Sequence, residues 1–239
     1  MSNPLLAAHG LVKAHGPTPA LRGASIELAA GEVVSVTGPS GSGKSTLLHC
    51  PAGIVRPDIG TVEYDGARLD LLPEKRLSEL RRTEFGVVFQ FGQLIPELTA
   101  ADNVALPLLL AGIPRSAARE RAGEWLERFG VREQEAKRPG EMSGGEAQRV
   151  ALARAMATDP RIVFADEPTG ALDSLAGEQV MSALIRTARE SGTAVLLVTH
   201  DAQVAAYADR EVSLRDGAVP VHGSPSTDPA ALRTQEVSR

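Results

Sequence analysis

At 239 residues, with 43% hydrophobic and 23% charged side chains, the chain has the composition of an ordinary globular protein and is long enough to bury a substantial core. A net charge of -5 with no long basic run argues against a nucleic-acid binder, whose phosphate contacts need a basic face. The single cysteine, Cys50, excludes an intramolecular disulfide framework and points to a reducing compartment.

Taken in chain order, the N-terminus has no basic region leading into a long apolar core, so no secretory signal is expected. Residues 4–36 read as short strands with turns, punctuated by Gly23 and Gly31. The apolar run Val33-Val34-Ser35-Val36 then feeds GPSGSGKST, which comprises Gly38, Pro39, Ser40, Gly41, Ser42, Gly43, Lys44, Ser45 and Thr46. Glycines let successive backbone N–H groups turn inward around an anion, and a following helix presents its positive end to the same charge. Such a loop fits a polyphosphate, with Lys44 reaching the β- and γ-phosphates and the Ser45 hydroxyl ligating Mg²⁺. The helix from Lys44 is expected to run for about ten residues, although Pro51, which has no N–H to offer the carbonyl of Leu47, should end or kink it.

A strand pair follows around TVEYDGARL, then a charged helical pattern at 77–82 and a buried-strand signal, FGVVFQ, at 85–90. Gln90 closes that strand; its amide can ligate Mg²⁺ or hold a water. Between 91 and about 144 apolar residues recur at helical spacing, so this block reads as a helical insert within an α/β core. Its longest apolar stretch, 104–113, contains Pro107 and is far short of the roughly 20 residues that a membrane-spanning helix needs. Met142-Ser143-Gly144-Gly145 is a second glycine-rich turn at a helix start, where Ser143 could serve simply as the N-cap. One nucleotide hardly needs two such loops from one chain, so this one is read as addressing the nucleotide of another subunit. A helix is expected over 145–157 and a strand over IVFADE. That strand puts Asp166 at the sheet's carboxyl edge to hold Mg²⁺ and leaves Glu167 as general base or orienter of the attacking water. A helix at 177–190 and the strand TAVLLVTH come next, the latter ending in His200, placed to meet a γ-phosphate. A terminal strand pair is expected near 211–221, and the tail at 223–239 is set apart as peripheral. Strands alternating with helices imply a mostly parallel core sheet.

The order GPSGSGKST, Gln90, MSGGEAQRVALARA, VFADEPTGALD and VTHD resembles the ATPase subunit of an ABC transporter, matching its Walker A, Q-loop, signature, Walker B, D-loop and H-loop segments over residues 4–222. The resemblance implies one P-loop NTPase domain of ABC type spanning 1–239. Its core would lie at about 1–90 and 145–222, with an N-terminal antiparallel β subdomain and a helical subdomain at 91–144. It also implies ATP and Mg²⁺ as cofactors and a head-to-tail dimer with a second copy. There Ser143, Gly144 and Gly145 would contact the γ-phosphate in trans, and Ala171-Leu172-Asp173 would lie across the dimer interface. The region around Gln90 would receive a membrane permease, placing the chain at the cytoplasmic face of a bacterial membrane. FQFGQLIPELTAADNVALPLLLAGI, the Glu after SGG, and PTGALDS are similar to the branch of macrolide-exporter, lipoprotein-releasing and cell-division subunits, which work with FtsX/MacB-like permeases; the bacitracin-resistance type of subunit shares these features.

Three features depart from the family pattern. His15 stands where an aromatic usually stacks on adenine; an imidazole stacks more weakly. Met142 replaces the usual leucine of the signature, a volume-conserving exchange. His49-Cys50-Pro51 interrupts the expected apolar helix, and no function is assigned to it; Cys50 reads as a small buried apolar residue. A soluble ABC ATPase of translation or DNA repair is the competing class, but it would carry two domains, zinc modules or a long coiled coil. A catalytically weak, ATP-gated scaffold is a third reading; the complete set Lys44, Asp166, Glu167 and His200 speaks against a dead ATPase but not against slow turnover.

Overall fold

The computed structural model describes residues 3–90 and 92–219. The tail set apart at 223–239, the end of the expected terminal strand pair at Val221, and Phe91 lie outside the described residues.

Two sheets organise the chain. In the antiparallel one, β1 (Leu6–His15) pairs with β2 (Thr18–Leu28) on one side and β4 (Ile59–Tyr64) on the other, with the short β5 (Ala67–Arg68) beyond. The second holds β3 (Val33–Thr37), β6 (Phe85–Val88), β7 (Ile162–Asp166), β8 (Ala194–Val198) and β9 (Arg210–Ser213) in the order β6-β7-β8-β3-β9, every neighbouring pair parallel. β7 and β8 are buried at every residue, without the alternation of a half-exposed strand, as a parallel sheet covered on both faces requires.

Alternate residues of these strands serve different sides. Val33, Val163, Ala165, Val195 and Leu197 face a core shared with α3 (Ala100–Leu110), α4 (Arg115–Arg128), α5 (Gly144–Met156) and α6 (Ser174–Ser191). Val34, Val36, Phe164, Leu196 and Val198 face a second core with α1 (Lys44–His49), α2 (Glu74–Thr83) and the antiparallel sheet. Edge-on contacts from Phe85 to Phe164 and to Tyr64, with ring centroids 5.3 and 4.9 Å apart, continue that second core outward.

Several boundaries differ from the sequence reading. Helix α1 has six residues rather than ten: its capping Cys50 still bonds to the Thr46 carbonyl, but Pro51 has no N–H to continue the ladder. Helix α6 starts at Ser174, three residues early, because the Asp173 carboxylate accepts the Ala176 N–H at 2.9 Å and caps it. The expected terminal strand pair is instead one strand, β9, parallel to β3 with Arg210 opposite Val34; only an isolated antiparallel bridge, Arg215 to Ala218, follows it among the described residues. A short helix, α7 (Ala202–Ala205), capped by Asp201, has no counterpart in the sequence reading.

Helix α5 and strand β6 approach so closely that a Cβ on Gly86 would lie 2.4 Å from the Ala155 carbonyl oxygen. Gly86→Ala is therefore expected to cost about 1–3 kcal/mol or somewhat more through overpacking. Urea unfolding should show a lowered midpoint at unchanged slope.

Candidate active site

The loop from Gly38 to Thr46 leaves the carboxyl end of β3 and enters α1. Gly43 lies at φ 99°, and a Cβ there would come within 2.2 Å of the Ala20 carbonyl oxygen, so only glycine lets the loop lie against β2. Lys44 is buried along most of its length, and its Nζ donates to the carbonyls of Gly38 at 2.8 Å and Pro39 at 3.0 Å. The side-chain head therefore sits within the curve of the loop.

Ser45 Oγ donates to Asp166 Oδ1 at 3.0 Å, joining the loop to the last residue of β7. His49, at the end of α1, brings Nε2 to 3.5 Å from Asp166 Oδ2 and has no closer hydrogen-bonding partner for that nitrogen. Its ring also lies 6.0 Å from that of Phe89, which precedes Gln90. Burial holds the Asp166 carboxyl above the usual carboxylate range; the Ser45 hydrogen bond and His49 oppose the shift, and neighbouring Glu167 adds to it. Burial likewise holds His49 below its ordinary value, with Asp166 opposing. Cys50, for its part, is buried, its thiol pushed up to about 12 by desolvation, and behaves as the apolar residue the sequence reading takes it to be.

Gln90, Glu167 and His200 all stand just beyond their strands rather than on them: β6 stops at Val88, β7 at Asp166 and β8 at Val198. Glu167 adopts φ 45°, a sparsely populated backbone conformation for a residue with a side chain, and its N–H bonds to the Val198 carbonyl at 3.0 Å. Its Oε1 accepts a hydrogen bond from His200 Nδ1 at 2.9 Å, and Oε2 accepts from the Thr199 hydroxyl at 3.4 Å. Thr199 was not singled out from the sequence; its place between the end of β8 and His200 was the available signal. Gln90 turns toward the same corner, since a Cβ on Gly170 would meet its Nε2 at 3.3 Å. His15, at the end of β1, has Nε2 3.3 Å from Thr46 Oγ1 and so flanks the loop from the antiparallel sheet.

Ser143, Gly144, Gly145 and Asp173 form a separate group. Ser143 caps α5, accepting the Glu146 N–H, while the Glu146 carboxylate accepts the Ser143 N–H at 2.7 Å. A Cβ on Gly144 would touch Leu172 and one on Gly145 would touch Ala176, so the second glycine turn rests on the segment that Asp173 caps. No hydrogen bond among the described residues ties either to the loop. A cleft of about 610 Å³ opens beside them, lined by Thr169, Leu172, Asp173, Leu175, Met181 and Tyr207.

A glycine-cradled lysine facing two carboxylates across the carboxyl edge of a parallel sheet defines a P-loop nucleotide site. The ABC transporter family profile matches residues 21–170, and the chain belongs to that family, as an ATPase subunit. The lipoprotein-releasing system ATP-binding protein LolD of Hyphomonas neptunium is 43% identical over 91% of this chain and 97% of its own length. LolD of Paramagnetospirillum magneticum is 48% identical over 82% and 87%. Among solved structures, a dimeric bacterial ABC transporter cassette superposes with a TM-score of 0.85 at 38% identity, covering 90% of this chain and 97% of that one. The same cassette in a post-hydrolysis state, bound to ADP and Pi, gives 0.84.

The raised Asp166 carboxyl has a measurable consequence. A carboxyl whose folded value exceeds its unfolded one adds stability below the unfolded value and loses it as pH rises through the folded one. At pH 8 the ionised group is thus a burden on the nucleotide-free fold. Asp166→Asn is expected to raise the melting temperature there, with the gain shrinking as pH falls into the ordinary carboxylate range, by differential scanning fluorimetry across pH 4–8.

Proposed function

We propose that this chain is the ATP-driven motor of a lipoprotein-releasing complex, seated at the cytoplasmic face of a bacterial membrane beside an FtsX/MacB-like permease. The observation that carries the reading is the continuous link from the loop through Ser45 and Asp166 to Glu167 and His200. Support for the cargo class comes from relatives named as lipoprotein-releasing ATP-binding proteins at 42–48% identity. No helix among the described residues is long and apolar enough to cross a membrane, so the path for cargo is assigned to the permease.

In this reading the loop N–H groups and Lys44 hold the triphosphate, and His15 stacks beside the adenine. The oxygen donors Ser45, Asp166 and Gln90 fit Mg²⁺, a hard cation that takes oxygen ligands, few of them carboxylates, and keeps several of its waters. Mg²⁺ there supplies charge stabilisation at the transferring phosphoryl group. Glu167 accepts the proton of, or orients, the attacking water, and His200, hydrogen-bonded to it, fixes its carboxylate and meets the γ-phosphate. The group of Ser143, Gly144, Gly145 and Asp173, with Leu175 two-thirds exposed on the rim of the neighbouring cleft, belongs to the face that meets a second copy head to tail. Hydrolysis then releases that face and resets the permease.

Two substitutions separate binding from turnover. Lys44→Ala removes charge-assisted bonds of about 1.5–3 kcal/mol each, so ATP affinity should fall at least about a hundredfold by fluorescent-nucleotide titration. Glu167→Gln should keep ATP binding, lose about 10²–10⁴-fold in turnover and accumulate a dimer on size-exclusion chromatography with Mg-ATP; full activity would remove the role given to this carboxylate. Tagged Glu167→Gln protein drawn from its native membranes in mild detergent with Mg-ATP should bring with it a permease of few spans and a large extracytoplasmic domain. A many-spanned importer core would overturn the branch, and ribosomes or repair proteins the transporter reading itself.

A further inference from the structure

Helix α5 holds the loop that follows Gln90 as well as the second glycine turn. Arg154, on α5, donates Nη2 to the Gly92 carbonyl at 2.7 Å and Nη1 to the Gln93 carbonyl at 2.9 Å, a two-pronged grip on consecutive backbone oxygens. No carboxylate partners this guanidinium among the described residues, and burial lowers its affinity for its proton. The two carbonyls are what compensate a largely buried cation.

The loop is shaped for that grip. Gly92 and Gln93 sit at φ 66° and 44°, and a Cβ on Gly92 would come within 3.2 Å of both Ala151 Cβ and Gln148 Oε1. The Gly92 N–H also bonds to the Phe89 carbonyl at 2.9 Å. Gln90 therefore lies within a turn whose closing residue is pinned to α5. At its other end, about 16 Å away along eleven residues of helical rise, the same helix carries the Ser143 cap.

We propose that Arg154 is a positioning residue for Gln90. By holding Gly92 and Gln93 it sets where the Gln90 amide stands against the Glu167 corner. This rests on the role given to Gln90 above.

The test compares Arg154→Met, Arg154→Lys, Gln90→Ala and the Gln90→Ala/Arg154→Met double variant in ATP turnover, ATP affinity and hydrogen–deuterium exchange. In Arg154→Met, exchange at residues 92–95 should quicken at least tenfold while α3 and α6 stay unchanged, and turnover should fall with little change in ATP affinity. Arg154→Lys, able to reach one carbonyl but not grip both, should lie between. The double variant should be no slower than Gln90→Ala alone, because Arg154 acts through that residue. Unchanged exchange at 92–95, or losses that multiply in the double variant, would overturn the inference. Full turnover in Gln90→Ala would instead remove the role of Gln90, and the inference with it. Should Arg154→Met fail to fold, exchange at 92–95 in Arg154→Lys decides by the same criterion.

Discussion

The hydrogen bond from Ser45 Oγ to Asp166 Oδ1 joins residues 121 positions apart in the chain, and it exists only because the parallel sheet places the ends of β3 and β7 on one edge with β8 between them. The phosphate loop and the carboxylates all hang from that edge. The glycine loop leaves β3 there, Asp166 and Glu167 leave β7, Thr199 and His200 leave β8, and Gln90 leaves β6. A sheet buried on both faces supplies the rigidity, since its strands cannot shift register without moving apolar residues between two separate cores.

Holding that edge together has a local cost. Asp166 is desolvated, with a second carboxylate next to it in the chain, and it is offset by one hydroxyl, a nearby imidazole and the Lys44 ammonium. Glu167 is held at a positive φ by its hydrogen bond to β8. The polar residues of the second group, by contrast, are satisfied locally: Ser143 and Asp173 cap the helices they precede. At Ser143 the capping role and the proposed one are compatible, because a capping oxygen fixes the helix start whose backbone N–H groups would, in the proposed dimer, meet a second subunit's nucleotide.

How much of this could be read from the chain depended on range. The glycine loop, the apolar strands and the paired carboxylates were legible because their signals are contiguous, and Pro51 announced the early end of α1 even though the helix still came out shorter than its apolar pattern implied. The placement of β9 was not legible, since four residues of modest burial gain their place from β3 and not from their own pattern. Nor were the contacts of His49: a histidine at a helix end has no local feature that brings it to a carboxylate 117 residues away. Arg154 was hidden for the same reason, its partners being backbone carbonyls, which every residue possesses.

The unpartnered polar atoms tell a related story. Among the described residues six buried side-chain polar atoms lack a hydrogen-bonding partner, and three of them, Ser42 Oγ, His49 Nε2 and Gln148 Nε2, belong to the glycine loop, to the neighbour of Asp166 and to the helix face beneath Gly92. Those three lie where β3, β6 and β7 end, and so do Glu167 and Gln93, two of the five non-glycine residues at positive φ among the described residues, so local consistency is relaxed at this edge. The rest of the sheet, apolar and two-sided, is what makes that relaxation tolerable.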